Sequence, residues 1–179
     1  MKTRLHLISA PWSMAMLPSA PIGSLKAYID QTFKEDVKTF CYSAHFEILL
    51  SAEKGEWPKL YERMRCLGET SYLILLYQKF LASPQERLAP DQLTKTLRKA
   101  NKLTFRETSL LKSHPITEVE LFDIERSTIK YIEEKIVPNI EPNCLNVVGF
   151  TMNYEQTYAS LYIEKYLQKR FPAGLFLFL

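Results

Sequence analysis

The chain has 179 residues, of which 46% are hydrophobic and 24% charged, a composition typical of one folded domain. Its net charge of +3 is too small for the clustered basic face of a nucleic-acid-binding protein, so no nucleic-acid partner is expected. No segment approaches the roughly 20 apolar residues of a membrane span. Three widely separated cysteines and no signal peptide predict reduced thiols in a cytoplasmic protein that does not bind membranes.

The first quarter of the chain predicts a β-α-β unit. Leu5 to Ser9 is a short, mostly apolar strand, and a loop containing Pro11 and Pro18 follows it. Apolar residues then recur at helical spacing at Ile22, Leu25, Tyr28, Ile29 and Phe33. Asp36 to Tyr42 alternates as a second strand, and a right-handed crossover is expected between the two strands.

Residues 43–138 contain no convincing strand. Prolines separate five segments that have helical apolar spacing. These segments are His45 to Leu50, Leu60 to Leu67, Glu69 to Leu81, Asp91 to Lys112 and Glu118 to Ile136. This is more than one crossover helix requires. We therefore predict a large helical insertion, residues 51–140, packed beside the sheet.

Regular α/β order resumes at Cys144 to Phe150, a third strand, followed by a helix over Glu155 to Arg170. The inner face of this helix is predicted to carry Ala159, Tyr162, Ile163 and Tyr166. Leu175 to Leu179 is continuously apolar, as in a parallel strand covered on both faces. The prediction is a Rossmann-like (flavodoxin-like) α/β domain, residues 1–179, with a parallel sheet of about four strands, truncated after the fourth strand.

Several motifs with known chemistry are missing, including the glycine-rich dinucleotide and phosphate loops, paired metal-ligating cysteines and the nucleophile elbow. Two loops at predicted strand ends remain as candidates, because ligands of such sheets bind outside the carboxyl ends of the strands. In the first loop, Trp12 could stack on a flat ligand and Ser19 could bind a polar edge. The alternative is that Trp12 packs on the sheet rim and Ser19 only caps the helix.

The second loop follows the third strand and carries neutral hydrogen-bonding groups at Thr151, Asn153 and Gln156. It has no strong acid–base pair, which favours binding over catalysis. Of the histidines, His6 lies inside the first strand, where a satisfied core or edge role is expected rather than a ligand role. His45 is expected to face the candidate cleft.

Both loops resemble a known family. The segments Leu7 to Trp12, Pro18-Ser19 and Ile22 to Tyr28 resemble the amino-terminal part of cobalamin-dependent-type radical S-adenosylmethionine enzymes, most closely those that mature ribosomally made peptides. Val147 to Thr151, with Gln156 and the segment 159–161, is similar to the second signature of the same domain. The resemblance covers both ends of the chain, while the middle matches only in helical character.

The resemblance implies a cobalamin-binding-like domain that precedes a radical S-adenosylmethionine barrel. The residues implied to contact cobalamin are Pro11, Trp12, Ser19, Gly23, Thr151, Met152, Asn153 and Gln156. The Asp-x-His-x-x-Gly signature that supplies a lower axial histidine is absent, and so is the three-cysteine motif that holds the iron–sulfur cluster. The chain alone therefore offers no site for the cluster or for S-adenosylmethionine, and no catalytic or metal-ligating residue is predicted.

The leading hypothesis is a truncated or split domain of a peptide-modifying radical enzyme that is not catalytic by itself. The alternative is a non-catalytic interaction module that docks a separate radical S-adenosylmethionine barrel subunit or a precursor peptide. In that case the strand at Leu175 to Leu179 could pair with a partner's edge. A decayed reading frame is the third hypothesis.

Overall fold

In the part of the chain that the structure describes, four parallel strands form one sheet in the order β2-β1-β3-β4. These strands are β1 (Thr3–Ile8), β2 (Val37–Tyr42), β3 (Leu145–Phe150) and β4 (Phe176–Phe178). The structure is a computed structural model that describes residues 2–11, 20–45, 47–48, 71–88, 92, 95, 118–151, 156–172 and 176–178. The predicted α/β class with a parallel sheet is confirmed.

Central strand β1 pairs with both β2 and β3. Thr3 lies opposite Val37 on one side and opposite Leu145 on the other. The backbone pairing therefore begins two residues before the apolar run that predicted this strand. At the far side of β3, Asn146 lies opposite Phe176 of β4.

The described helices follow the predicted order. They are α1 (Ala20–Phe33), α2 (residues 71–76), α3 (Glu118–Tyr131) and α4 (Thr157–Arg170). A π-helical turn at Tyr77–Leu81 continues α2. A π-helical turn at Ile132–Ile136 and a 3₁₀ turn at Val137–Asn139 continue α3. Residues 44, 45, 47 and 48 are also helical. The helix predicted over Leu60 to Leu67 lies outside the described residues, as does nearly all of the one over Asp91 to Lys112. None of the helices within the described ranges is long and apolar enough to cross a membrane.

The side chains of β1 alternate between two cores. Leu5 and Leu7 pack with Ile22 of α1 in a small cluster on one face of the sheet. Ile8 belongs to the main core on the opposite face, together with Val148 of β3. Helices α2, α3 and α4 contribute most of this core, through Tyr72, Ile74, Leu75, Leu76, Leu121, Ile124, Tyr131, Ile132, Ala159, Tyr162, Ile163 and Leu167. The described parts of α2, α3 and α4 thus cover this face of the sheet.

Helix α1 buries only part of its apolar side chains against the sheet. Ile22 is buried and Ile29 packs beside it, but Leu25, Tyr28 and Phe33 are exposed. Tyr28 lies roughly 120° around the helix from Ile22, so the two residues cannot both face the sheet. Phe33 is the last residue of the helix. The spacing identifies the helix correctly, and the structure shows that only part of its apolar residues face the sheet.

A buried polar chain crosses the sheet at His6. Its Nδ1 lies 3.1 Å from Tyr42 Oη on β2, and its Nε2 lies 3.3 Å from Asn146 Oδ1 on β3. The Asn146 amide donates in turn to the carbonyls of Glu141 and Cys144. His6 also stacks on Phe40 with a centroid separation of 5.2 Å. The prediction of a satisfied core histidine is confirmed.

Candidate functional site

The carboxyl ends of β1 and β3 lie side by side. Ile8 is in register with Phe150, and the backbone amide of Thr151 donates to the Ile8 carbonyl at 3.0 Å. After this edge the chain continues to helices on opposite faces, since α1 packs against Leu5 and Leu7 whereas α4 packs in the main core. Adjacent strand ends whose connections diverge in this way form the crevice where open α/β sheets bind ligands.

A polar network joins the loops that follow these two strands. The Gln156 carboxamide nitrogen donates to the Ala10 carbonyl and lies 3.4 Å from Ser9 Oγ. The Thr151 hydroxyl lies 3.3 Å from Ser9 Oγ and 3.3 Å from Gln156 Oε1. Ser9, Ala10 and Gln156 are all buried, so the network closes the floor of the crevice.

Strand β2 fixes the same loop from the other side. The Ser9 amide donates to the Tyr42 carbonyl at 2.9 Å, and the His45 amide donates to the Ser9 carbonyl at 3.1 Å. His45 is buried, and the contact seen at the crevice edge is through its backbone. The expectation that the His45 side chain faces an open cleft is therefore wrong.

The structure describes four of the eight predicted contact residues. Pro11 and Gln156 are buried, Thr151 is half-buried and Gly23 is exposed in the first turns of α1. An added Cβ at Gly23 would meet nothing within 4 Å, so there is open space beside it. The other four predicted contact residues lie outside the described ranges: Trp12, Ser19, Met152 and Asn153.

Thr151 and Gln156 are brought together, as their places after β3 suggest. Gln156 donates into the protein, which makes it a residue of the crevice floor that positions both loops. Ser9 is the residue that sequence reasoning missed. A serine that ends an otherwise apolar strand, at the edge where loops converge, is the signal that could have identified it.

The described residues at these strand ends offer neutral polar groups and no cluster of metal-ligating side chains. No group of three His, Cys, Asp or Glu side chains within the described ranges could hold a metal. Both described histidines, His6 and His45, are buried, so neither presents an imidazole to a ligand in the crevice. Gly23 has open space beside it, and the Thr151 hydroxyl is a neutral hydrogen-bonding group at the end of β3. Comparisons of the chain with protein-family models, curated proteins and solved structures found no match.

Proposed function

We propose that this chain is a binding domain that holds cobalamin across the carboxyl ends of β1 and β3, as part of a radical S-adenosylmethionine enzyme that modifies a ribosomally made peptide. The observation that carries the binding proposal is the divergence of the chain at these two adjacent strand ends. Crevices of this kind bind ligands in many unrelated open α/β sheets. The choice of cobalamin rests on the resemblance of the two loops that begin at Pro11 and Thr151.

The strand order supports a flavodoxin-like assignment. The order β2-β1-β3-β4 matches the first four positions of the flavodoxin-like arrangement 2-1-3-4-5. Helices α2 and α3 lie between β2 and β3, where we place the helical insertion of residues 51–140. The ligand crevice belongs to β1 and β3, so its floor does not depend on the extent of that insertion.

The role assigned to this chain is binding. Bound cobalamin would supply the metal chemistry, and Gln156 with Ser9 would hold the two contacting loops at a fixed separation. Thr151 would offer a hydroxyl to the rim of the ligand. The three cysteines are too far apart in sequence to form the family's cluster motif, so the cluster site would be provided by other residues of the enzyme.

A second proposal is that the domain docks a separate radical S-adenosylmethionine barrel subunit. Leu25 and Tyr28 favour it, because α1 exposes both apolar side chains instead of burying them against the sheet. Apolar surface of this kind is often covered by another protein. The two proposals differ in whether cobalamin binds the isolated chain.

The test is a titration of the purified chain with hydroxocobalamin, followed by visible absorbance. We expect a saturable spectral shift. Gly23→Trp should weaken binding at least about tenfold, since the side chain would fill the space beside the crevice. Ala27→Trp, one turn further along the exposed side of α1, is the matched control and should bind as the native chain does. A native chain that gives no saturable shift would contradict cobalamin binding and favour the docking role.

A further inference from the structure

Two hollows adjoin each other on the outer surface of the helical layer. The first, of about 280 Å³, lies between α2, α3 and α4 and is lined by Phe80, Ile129, Tyr162 and Tyr166, among others. The second, of about 300 Å³, lies along α3 beside Phe122 and shares Ile129 with the first. We call the two together the α3 groove. It is formed by helices that cover the sheet face opposite α1.

The walls of the first hollow are apolar and aromatic. Phe80 meets Tyr162 edge to face, with their ring centroids 5.4 Å apart. Tyr162 also contacts Tyr72 of the main core in the same way, at 5.9 Å. Such packing fixes the rings before anything binds, which reduces the entropy lost on association.

The hydroxyl groups of both tyrosines are already used. Tyr162 Oη donates to Glu125 at 2.8 Å, and Tyr166 Oη donates to Glu133 at 2.9 Å. Each carboxylate also has a cation, because Lys79 Nζ lies 3.0 Å from Glu125 and Arg170 Nε lies 3.2 Å from Glu133. The two carboxylates bonded to the tyrosines of the first hollow are therefore each paired with a cation of the protein.

The accessible charge at the α3 groove is positive. The Glu125 side chain is only 8% exposed, whereas Lys79 is 51% and Arg126 is 78% exposed. Arg126 Nη1 also lies 3.4 Å from Asp123 in a surface ion pair, and the Asp123 side chain is 43% exposed. Lys169 lines the first hollow from the end of α4 and makes no ion pair within the described part of the chain. A rim with exposed cations above buried or paired carboxylates is complementary to an acidic partner.

We propose that the α3 groove binds an acidic segment of a partner polypeptide, which places one apolar side chain in each hollow and carboxylates on the rim. Each hollow, of about 280 or 300 Å³, can take one large side chain and lies at the lower end of the size range of small-molecule sites. Two anchors separated by Ile129 fit a peptide that lies along α3. This goes beyond the proposed cobalamin site, which belongs to the strand ends.

The experiment selects peptides from a displayed random 12-residue library on the purified full chain. Enriched peptides are then labelled and their affinities measured by fluorescence anisotropy. We expect net-negative sequences with two apolar side chains. The double variant Arg126→Glu/Lys169→Glu should weaken binding by roughly tenfold or more, since both changed side chains are exposed and each rim charge contributes up to about 1 kcal/mol. The double variant Lys2→Glu/Lys34→Glu, at exposed positions just before β1 and just after α1, makes the same change of net charge. It is the charge-matched control and should leave affinity unchanged.

Salt provides an independent readout. Raising sodium chloride from about 50 to about 300 mM should weaken binding of the native chain and affect the double variant much less, because exposed charges are screened. Selection of neutral or basic peptides, no selection at all, or an acidic peptide that binds the double variant equally well would overturn the proposal. Binding to phosphatidylserine vesicles without peptide selection would also overturn it and would identify a membrane-binding surface.

Discussion

The carboxamide of Gln156 donates a hydrogen bond to the backbone carbonyl of Ala10, which lies 146 residues away in the sequence. Both residues are fully buried. Through this contact the loop that follows β3 holds the loop that follows β1. The geometry of the proposed crevice depends on this pair, since its two walls belong to segments that are distant along the chain.

Replacing Gln156 with leucine should therefore destabilise the fold. Leucine has a similar volume but cannot donate, so the buried Ala10 carbonyl loses its partner, at a cost of about 1–3 kcal/mol. The measurement is the free energy of unfolding from urea denaturation. Gln168→Leu on the same helix is the control, because Gln168 is only partly buried and bonds locally to Glu164. Equal destabilisation by the two variants would contradict the role assigned to Gln156.

Contacts of this kind explain how far the sequence predicts the fold. The strands and the described helices were predicted from apolar runs and apolar periodicity, because burial against one or two layers leaves these patterns in the residues. The ends of β1 were misplaced by one or two residues, since Thr3 and Arg4 join the sheet through backbone pairing that apolarity does not report. The pairing of Gln156 with Ala10 has no periodic signal, so only the folded chain reveals it.

Helix α1 shows a second limit of sequence reasoning. Its apolar residues include Ile22 and Ile29 on the buried side and Leu25 and Tyr28 on the exposed side. Helical spacing identifies a helix, but it does not decide which of two neighbouring apolar stripes the sheet will cover. The exposed stripe is a feature of the structure that composition and spacing leave undetermined.

His6 should make stability depend on pH. Burial is the main reason that the pKa of His6 falls to about 4. The hydrogen bond that the Asn146 carboxamide oxygen accepts from His6 raises the pKa, and the nearby Arg4 lowers it. Between about pH 6.5 and pH 4, the His6 imidazole binds a proton in the unfolded chain but not in the folded chain. Stability should thus fall by up to roughly 3 kcal/mol as pH decreases through that window.

The measurement compares urea unfolding of the native chain and of His6→Gln at several pH values from about 4 to 7. Glutamine can keep the hydrogen bonds to Tyr42 and Asn146, but it does not titrate. The difference in unfolding free energy between the two proteins isolates the His6 contribution, because carboxylates that titrate nearby are common to both. A difference that stays constant over this range would show that His6 titrates alike in the folded and unfolded chains.

Gly149 allows close packing between β1 and β3. A Cβ added there would lie 3.3 Å from Leu7 Cδ2, which is tight. Gly149→Val should therefore cost about 1–3 kcal/mol through overpacking against Leu7. Gly23→Val is the comparison, since nothing lies within 4 Å of an added Cβ there, and it should have a much smaller effect. Thermal unfolding of both variants tests this, and a Gly149→Val variant as stable as Gly23→Val would contradict it.

The two tyrosine–carboxylate pairs of α4 form a matched experiment. Tyr162 donates to Glu125, which is buried, whereas Tyr166 donates to Glu133, which is partly exposed. Tyr162→Phe leaves a buried carboxylate with only Lys79 as its partner and should cost about 1.5–3 kcal/mol. Tyr166→Phe should cost less than about 1 kcal/mol, because water can replace the lost donor at Glu133.

Urea unfolding of both variants at pH 7 measures this difference, and each tyrosine ring stays in place. Burial is the main cause of a raised pKa at both tyrosines: the pKa of Tyr166 is about 12, and that of Tyr162 is higher still. Both hydroxyls are therefore protonated donors at pH 7. The comparison therefore reports the environment of the acceptor carboxylate and not the charge of the tyrosine. If the two variants lose the same stability, then Glu125 is as well solvated as Glu133. In that case the α3 groove does not have a buried, neutralised acid beneath its cationic rim.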